Sequence, residues 1–352
     1  MSIKYSEIAD LLTTTYDSVA VDIVDLSSEM HDYIVMPYLM TKNGGVREIS
    51  GGVGLAQLLM IEHGGRSRFV GEYDEDVVSV IDHLEKMRVE FCLMNDSVAF
   101  SIGEMRANRG KELITNCITP KKRALKLRMI ETMEETFFAD PDASDDKTPW
   151  GLKYWIVKNA TAGFNGGLPA GFSTIANLSL TKVPQFQNYT DQYTAATKAD
   201  LITKMRTAHR QTKWKMPKKQ AGFTGDTSDS RVILANERTI MQLENIGEAQ
   251  NENLGRDLAP YTAGGGMTKT PDGEILFKRH PITWAEHLDA DTTDPLYGLD
   301  MRYFYPVVRK GDNMAQTPFE KAPKQHRVMV SFVDHAYQFV CINRRAQWVI
   351  SK

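Results

Sequence analysis

NGGVREISGGVGLAQLLMIEHGGRSRFVGEYD, residues Asn43–Asp74, is the stretch that decides how the rest of the chain is read. Glycine stands at positions 44, 45, 51, 52, 54, 64, 65 and 71. Gly44-Gly45 and Gly51-Gly52 bracket the strand-like Val46–Ile49, and Leu55–Ile61 is the one short apolar run that could pack into a core. Glycines set between short apolar and β-branched runs punctuate a hairpin. The run from Met40 to Asp76 therefore reads as a long hairpin projecting from a domain. At ~3.3 Å per residue, arms of about 18 residues would reach roughly 60 Å. A single copy has no use for such a projection, so the stretch predicts an assembly of copies.

N-terminal to the hairpin, residues 1–36 read as an arm, with a short amphipathic helix near Ser6–Thr13, an extended stretch at Ser18–Leu26, and Pro37 as its end. Residues 1–40 carry Lys4 against seven acids, among them Asp17, Asp22 and Asp25, for a net charge of −6. Two basic blocks oppose this arm. Residues 106–128 hold eight Lys and Arg, including Arg123 and Lys126, against Glu112 alone; residues 201–219 hold seven, including Lys204, Arg206 and Arg210, and no acid. Blocks of opposite sign suit pairing between copies, with one copy's arm lying on another's basic surface. Solvated faces that touch nothing fit the same composition, and both readings stand at this level.

C-terminal to the hairpin the signals are those of a packed domain. Met87–Leu93 alternates Val89, Phe91 and Leu93 against Arg88, Glu90 and Cys92, and Ser97–Ile102 continues as strand. Lys121–Phe138 has helical period, with Leu125, Met129, Ile130, Met133 and Phe137 on one side, and Pro120 suits a first helical position after Thr119. Whether the helix runs unbroken from Gly110 through Pro120 is left open by the pattern. Trp150–Ala160 reads as a short helix or strand, Ala195–Arg210 as a helix with Leu201, Met205 and Ala208 inward, Arg231–Ala235 as a buried strand, and Glu237 to about Leu258 as a third helix. Strands are expected at Ile275–Lys278, Ile282–Trp284, Met301–Val308, Arg327–Val333 and Gln338–Ile342. The sum is α+β, with helices and strands segregated rather than alternating.

Composition narrows the function. The 352 residues are 42% hydrophobic and 25% charged with net charge −3, which is ordinary globular composition and excludes bulk attraction to nucleic acid. No apolar run reaches the ~20 residues that span a bilayer, so no membrane role is expected. MSIKYSEIADLL has acids and no apolar segment of the secretory kind, which predicts use in a cytoplasm-like compartment. Cys92, Cys117 and Cys341 are far apart and read as buried thiols rather than a disulfide or zinc set. No phosphate loop, dinucleotide fingerprint, H-E-x-x-H or G-x-S-x-G occurs, so no catalytic, cofactor or metal residues are assigned and no enzyme is expected. Asp289, Asp291 and Asp294 could ligate Ca²⁺ but lack the glycine and glutamate of an EF-hand loop, and a solvated acidic turn is the preferred reading. Trp214, set among bases in HRQTKWKMPKK, is the most nucleic-acid-like spot, and packing of its indole under lysine stems is the commoner use.

Two further stretches give these features a family. DPLYGLDMRYFYPVVRKGDNM (Asp294–Met314) followed by KAPKQHRVMVSFVDHAYQFVCINRRAQWVI (Lys321–Ile350) resembles the closing segment of a subgroup of tailed-bacteriophage major capsid proteins, joining a Y-G-L stretch to a last strand ending in N-R-R. Asn43–Asp74 resembles that subgroup's extended loop, and MRANRGKELI (Met105–Ile114) the entry to its spine helix. The resemblance implies the Hong Kong 97-type capsid fold, with an N-terminal arm (1–40) and an extended loop (41–80) lying over the neighbouring subunit. It also implies a peripheral domain (81–150 and 320–352) with a spine helix at about 110–138, and an axial domain (151–319). It implies self-assembly as hexamers and pentamers into an icosahedral shell enclosing double-stranded DNA, with portal, scaffolding and decoration proteins as further partners. The place of action would be the virion, after the host cytoplasm. No motif supports carrying over the isopeptide cross-link of some relatives. Two shell or nucleic-acid readings compete: an encapsulin-like shell protein, which shares the fold, and a DNA-binding or packaging protein. An enzyme of unfamiliar type is the third, and lacks a nucleophile–base pair.

Overall fold

Five consecutive apolar or long-stemmed residues, Arg231–Ala235, are all buried, which is the pattern of a strand covered on both faces. In the computed structural model this strand lies inside an eight-stranded sheet. The structure describes residues 47–61, 69, 71–72, 83–103, 118–212, 231–252, 267–269, 275–278, 280–322, 324–325 and 327–352. The strands are β1 (Arg47–Ile49), β2 (Gly54–Met60), β3 (Leu84–Glu90), β4 (Cys92–Ser101), β5 (Gly163–Gly166), β6 (Asn188–Gln192), β7 (Arg231–Ala235) and β8 (Met267–Lys269). They continue with β9 (Ile275–Phe277), β10 (His280–Trp284), β11 (Leu296–Asp300), β12 (Phe304–Arg309), β13 (Ala315–Gln316), β14 (Glu320–Lys321), β15 (Val328–Cys341) and β16 (Trp348–Ser351). The α-helices are α1 (Ile118–Phe138), α2 (Leu152–Trp155), α3 (Thr203–Gln211) and α4 (Glu237–Glu252).

Two compact units divide the described residues. The larger takes those within Tyr33–Leu93, Met133–Asn313 and Ala336–Lys352; the smaller takes those within Met94–Thr132 and Met314–His335. In the larger unit the sheet order is β5-β6-β16-β11-β7-β10-β9-β8. The sheet is mixed: β7 is antiparallel to β11 and parallel to β10, and β16 is antiparallel to β11 and parallel to β6. The chain between β7 and β10 includes α4, so helix and strand alternate here, where segregation was expected. Leu201, Met205 and Ala208, the inward positions read from the sequence, are buried in this unit's core with Ile233, Phe277 and Trp348. α3 is entered through a π-helical turn, Lys198–Ile202. In the last turns of α1, Phe137 stacks on Phe304 and meets Phe339 edge-on.

The smaller unit packs the earlier turns of α1 on a sheet. Leu125 and Met129 join Val98, Phe100 and Val333 in one buried cluster. β13 and β14 pair antiparallel with β15. Arg327–Val333 and Gln338–Ile342, read as two strands, are one: β15 runs fourteen residues. α1 contains Pro120 in its opening turn, where a missing N–H costs nothing. The expected continuation back to Gly110 lies outside the described residues, as do the N-terminal arm, Cys117 and Trp214.

The hairpin differs from its expected form. Val46–Ile49 was read as one of its strands, but β1 pairs parallel with β12, Arg47 opposite Val307, and the Arg47 guanidinium sits 3.7 Å over the Tyr305 ring. The hairpin pairing is made by β2, whose antiparallel partner is β3, Gly54 opposite Glu90 and Met60 opposite Leu84. The second strand of the hairpin is therefore Leu84–Glu90, beyond the stretch read as the hairpin. Met87–Leu93 was read as one alternating strand of the compact domain, yet β3 stops at Glu90 and β4 starts at Cys92. The break at Phe91 shifts the alternation, so Val89 is buried and Leu93 exposed.

Candidate assembly surfaces

β2 and β3 form a sheet of two strands. Such a pair standing alone is marginally stable in water, and this one displays apolar side chains: Leu58 is 59% exposed, Met60 65% and Val53 70%. Hydrophobic residues gathered on an uncovered ribbon mark a contact surface. Its base is held. The Arg88 N–H donates to the Ala176 carbonyl (3.1 Å), and Ala176 lies in a tight turn with φ +47°. That left-handed conformation is unfavourable for alanine; the Tyr154 hydroxyl, accepting from the Ala176 N–H at 2.9 Å, fixes it.

The cationic residues singled out from the sequence divide into two kinds. Arg123 and Lys126 are exposed on α1. Lys204 is engaged at home, with its ammonium 2.6 Å from Asp200 and donating to the Gln192 carbonyl. This bond is the main reason the Asp200 carboxyl titrates low, at about 2. Arg206 is half-buried and Arg210 exposed on α3. Asp17, Asp22 and Asp25, their intended partners, lie outside the described residues.

The acidic turn, partly exposed as expected, is also bonded into the fold. Asp289 accepts from the Glu237 N–H at the start of α4 (2.8 Å) and from the Trp284 indole (2.9 Å). Asp291 binds the Lys158 ammonium and the Thr293 hydroxyl. Asp294, 5% exposed, accepts from the Asn236 amide at 2.7 Å. Each carboxylate ties a different element to the turn.

The Y-G-L and N-R-R residues meet at one end of the large sheet. Antiparallel pairing of β7 with β11 and of β11 with β16 sets the start of β7, the end of β11 and the start of β16 side by side. Gly298 lies opposite Trp348, and a Cβ there would stand 2.0 Å from the indole. Arg344 is fully buried without a carboxylate among its bonds. It donates to the carbonyls of Trp155, Phe186 (2.9 Å), Gly166 (3.3 Å) and Gly167 (3.0 Å), and to the Asn188 side-chain oxygen (3.0 Å). Burial pulls its pKa down to about 10, so it remains a cation at neutral pH. Asn343 accepts from the Arg345 N–H, and the Arg345 guanidinium stacks 4.2 Å over Phe164. Nothing in the local pattern marks Arg344 as buried; the signal was its place in the N-R-R stretch.

A mixed α+β chain with a long helix, a large mixed sheet and an uncovered apolar hairpin has the fold of phage capsid subunits. Among solved structures, it is similar to the cyanophage A-1(L) capsid subunit, with a TM-score of 0.63 at 14% identity over 94% of this chain and 95% of that one. The capsid of Myoviridae phage XM1 matches at 0.53 and 10% identity over 96% and 97%. The SrpI encapsulin from Synechococcus elongatus PCC 7942 matches at 0.50 and 10% identity over 100% and 96%. No protein-family model matches the sequence. No curated protein matches it.

Proposed function

We propose that this chain is the major capsid protein of a tailed bacteriophage, a structural subunit rather than an enzyme. It assembles as hexamers and pentamers into an icosahedral shell around double-stranded DNA. The observation that carries this reading is the end-to-end similarity to a cyanophage capsid subunit, over 94% of the chain. In this reading residues 1–40 are the N-terminal arm and residues 41–80 the extended loop, whose strand β2 pairs with β3 at the edge of the peripheral domain. Residues 81–150 and 320–352 supply the peripheral domain with its spine helix, and 151–319 the axial domain. The apolar hairpin binds a neighbouring copy: burying Leu58 and Met60 gains ~25 cal/mol per Å² removed from water, repeated at every contact of the shell. Portal, scaffolding and decoration proteins are the further partners, and the protein passes from host cytoplasm to virion. Negative-stain images of the purified full chain test the proposal. Closed icosahedral shells are expected; a monomer that persists at high concentration under all salt and crowding conditions overturns it.

The encapsulin-like reading is the alternative, supported by the match to the SrpI shell along the whole chain. Shells isolated from the native source separate the two. Nuclease-protected DNA inside them supports the phage reading, and protein cargo without DNA supports the other.

A further inference from the structure

Beside Arg345, the end of the large sheet opens into a cavity of about 270 Å³. Arg231, Asp300, Arg302, Tyr303, Asn343 and Arg345 are among its lining residues. Three guanidiniums against one carboxylate leave it a net charge of +2. The arrangement is rigid. Asp300, 1% exposed, accepts from Arg302 Nε (2.9 Å) and Nη2 (2.6 Å) and from Arg231 Nε (3.2 Å). Its backbone is clamped in turn by the buried Gln347 side chain, which accepts from the Asp300 N–H (2.6 Å) and donates to its carbonyl (3.1 Å). Asp300 thus works as a brace that fixes two guanidiniums in place.

Arg345 also lines the cavity. Its ring stacking on Phe164 holds the guanidinium plane while leaving the edge N–H groups for a ligand. Planar guanidiniums match the oxygens of phosphate and carboxylate in paired hydrogen bonds. A net charge of +2 fits free phosphate, which carries roughly −1.5 to −2 near neutrality, better than a single carboxylate; a backbone phosphodiester carries a single negative charge and is matched through its two free oxygens rather than by charge. The Tyr303 hydroxyl and the Asn343 amide add neutral polar groups to the lining.

We propose that this cavity is a phosphate-binding site, taking either a free phosphate ion or a phosphate of the nucleic acid backbone. The proposal does not depend on shell formation. Arg345 is exposed and outside the buried Asp300 cluster, so Arg345→Glu leaves the fold intact while reversing one charge of the site. Lys198→Glu makes the same charge change at an exposed residue of the π-helical turn before α3 and serves as the control.

The test is thermal unfolding of the purified full chain in inorganic phosphate against sodium chloride at matched ionic strength. Phosphate is expected to raise the melting temperature of the wild type and of Lys198→Glu. In Arg345→Glu its binding should weaken about tenfold, the equivalent of one lost charge-assisted hydrogen bond. A short DNA duplex, titrated in the same buffers, identifies the source: binding that falls in Arg345→Glu and competes with phosphate assigns the site to the backbone. Response to phosphate alone assigns it to the free ion. Equal shifts in chloride and phosphate, or the same phosphate shift in Arg345→Glu as in Lys198→Glu, would overturn the proposal and leave an adventitious ion only.

Discussion

Replacing Arg344 with Met would leave the Trp155, Phe186 and Gly167 carbonyls facing an apolar side chain in a buried site, each without the donor it now has. Unmet buried acceptors and a lost cation make such changes expensive, on the order of 3–5 kcal/mol. Arg344→Met should lower the urea midpoint of unfolding accordingly. Arg344→Lys should recover little, because an ammonium offers three donors in a tripod where five acceptors are set around a planar fork. Asp200 supplies a second prediction. Its carboxyl titrates at about 2, chiefly through its bond from Lys204, against 3.8 ordinarily. A folded-state value below the unfolded one contributes stability that is present above the unfolded pKa and lost as pH falls through the folded pKa. Between pH 4 and about 2 the wild type should therefore lose stability, and Asp200→Asn should lose less over that window in acid titrations followed by circular dichroism.

Two elements can be tested separately. On β2, Leu58→Glu with Met60→Glu removes exposed apolar groups without touching a core, so the melting temperature of the isolated subunit should hold while particle formation fails. Retained assembly would show that the hairpin's apolar face is not a contact. These substitutions are cleaner than deleting the glycine-rich stretch, which would also remove β1 and its pairing with β12. On β11, Gly298→Ala would drive a methyl into the Trp348 indole, and overpacking of this kind costs typically 1–3 kcal/mol. Thermal unfolding of the subunit should register it, since Trp348 is part of the larger unit's core.

At the scale of the whole molecule, charge segregation makes its own prediction. Replacing Asp17, Asp22 and Asp25 with Asn should weaken assembly with little change in subunit stability, because exposed pairs are worth only ~0.2–1 kcal/mol each but recur at every contact. Light scattering should show the deficit at low salt and a smaller one as screening shortens to ~8–10 Å. Unchanged assembly at low salt would mean that the arm pairs with nothing. Lys204 is already committed to Asp200, so neutralising Arg123 and Lys126 is expected to weaken assembly more than neutralising Lys204.

Much of this architecture was legible in the chain itself. Helical period located α1 and the inward face of α3, and a continuous apolar run located β7, because both signals arise within one element from which faces are buried. The glycines around β2 likewise marked a hairpin strand, though not its partner. Tertiary structure alone decided which strands pair, joining β2 to a β3 that begins after Asp76 and sending β1 to β12. It also decided what the charges do. Arg344 carries no burial signal of its own, and chain segments some 150 to 190 positions upstream surround it with carbonyls. Asp289, Asp291 and Asp294 read as a solvated turn until Glu237, Lys158 and Asn236 arrive from elsewhere. Local pattern reports burial and period, whereas the partner of a strand edge or a charge is set by residues distant in sequence, and only the folded chain brings those together.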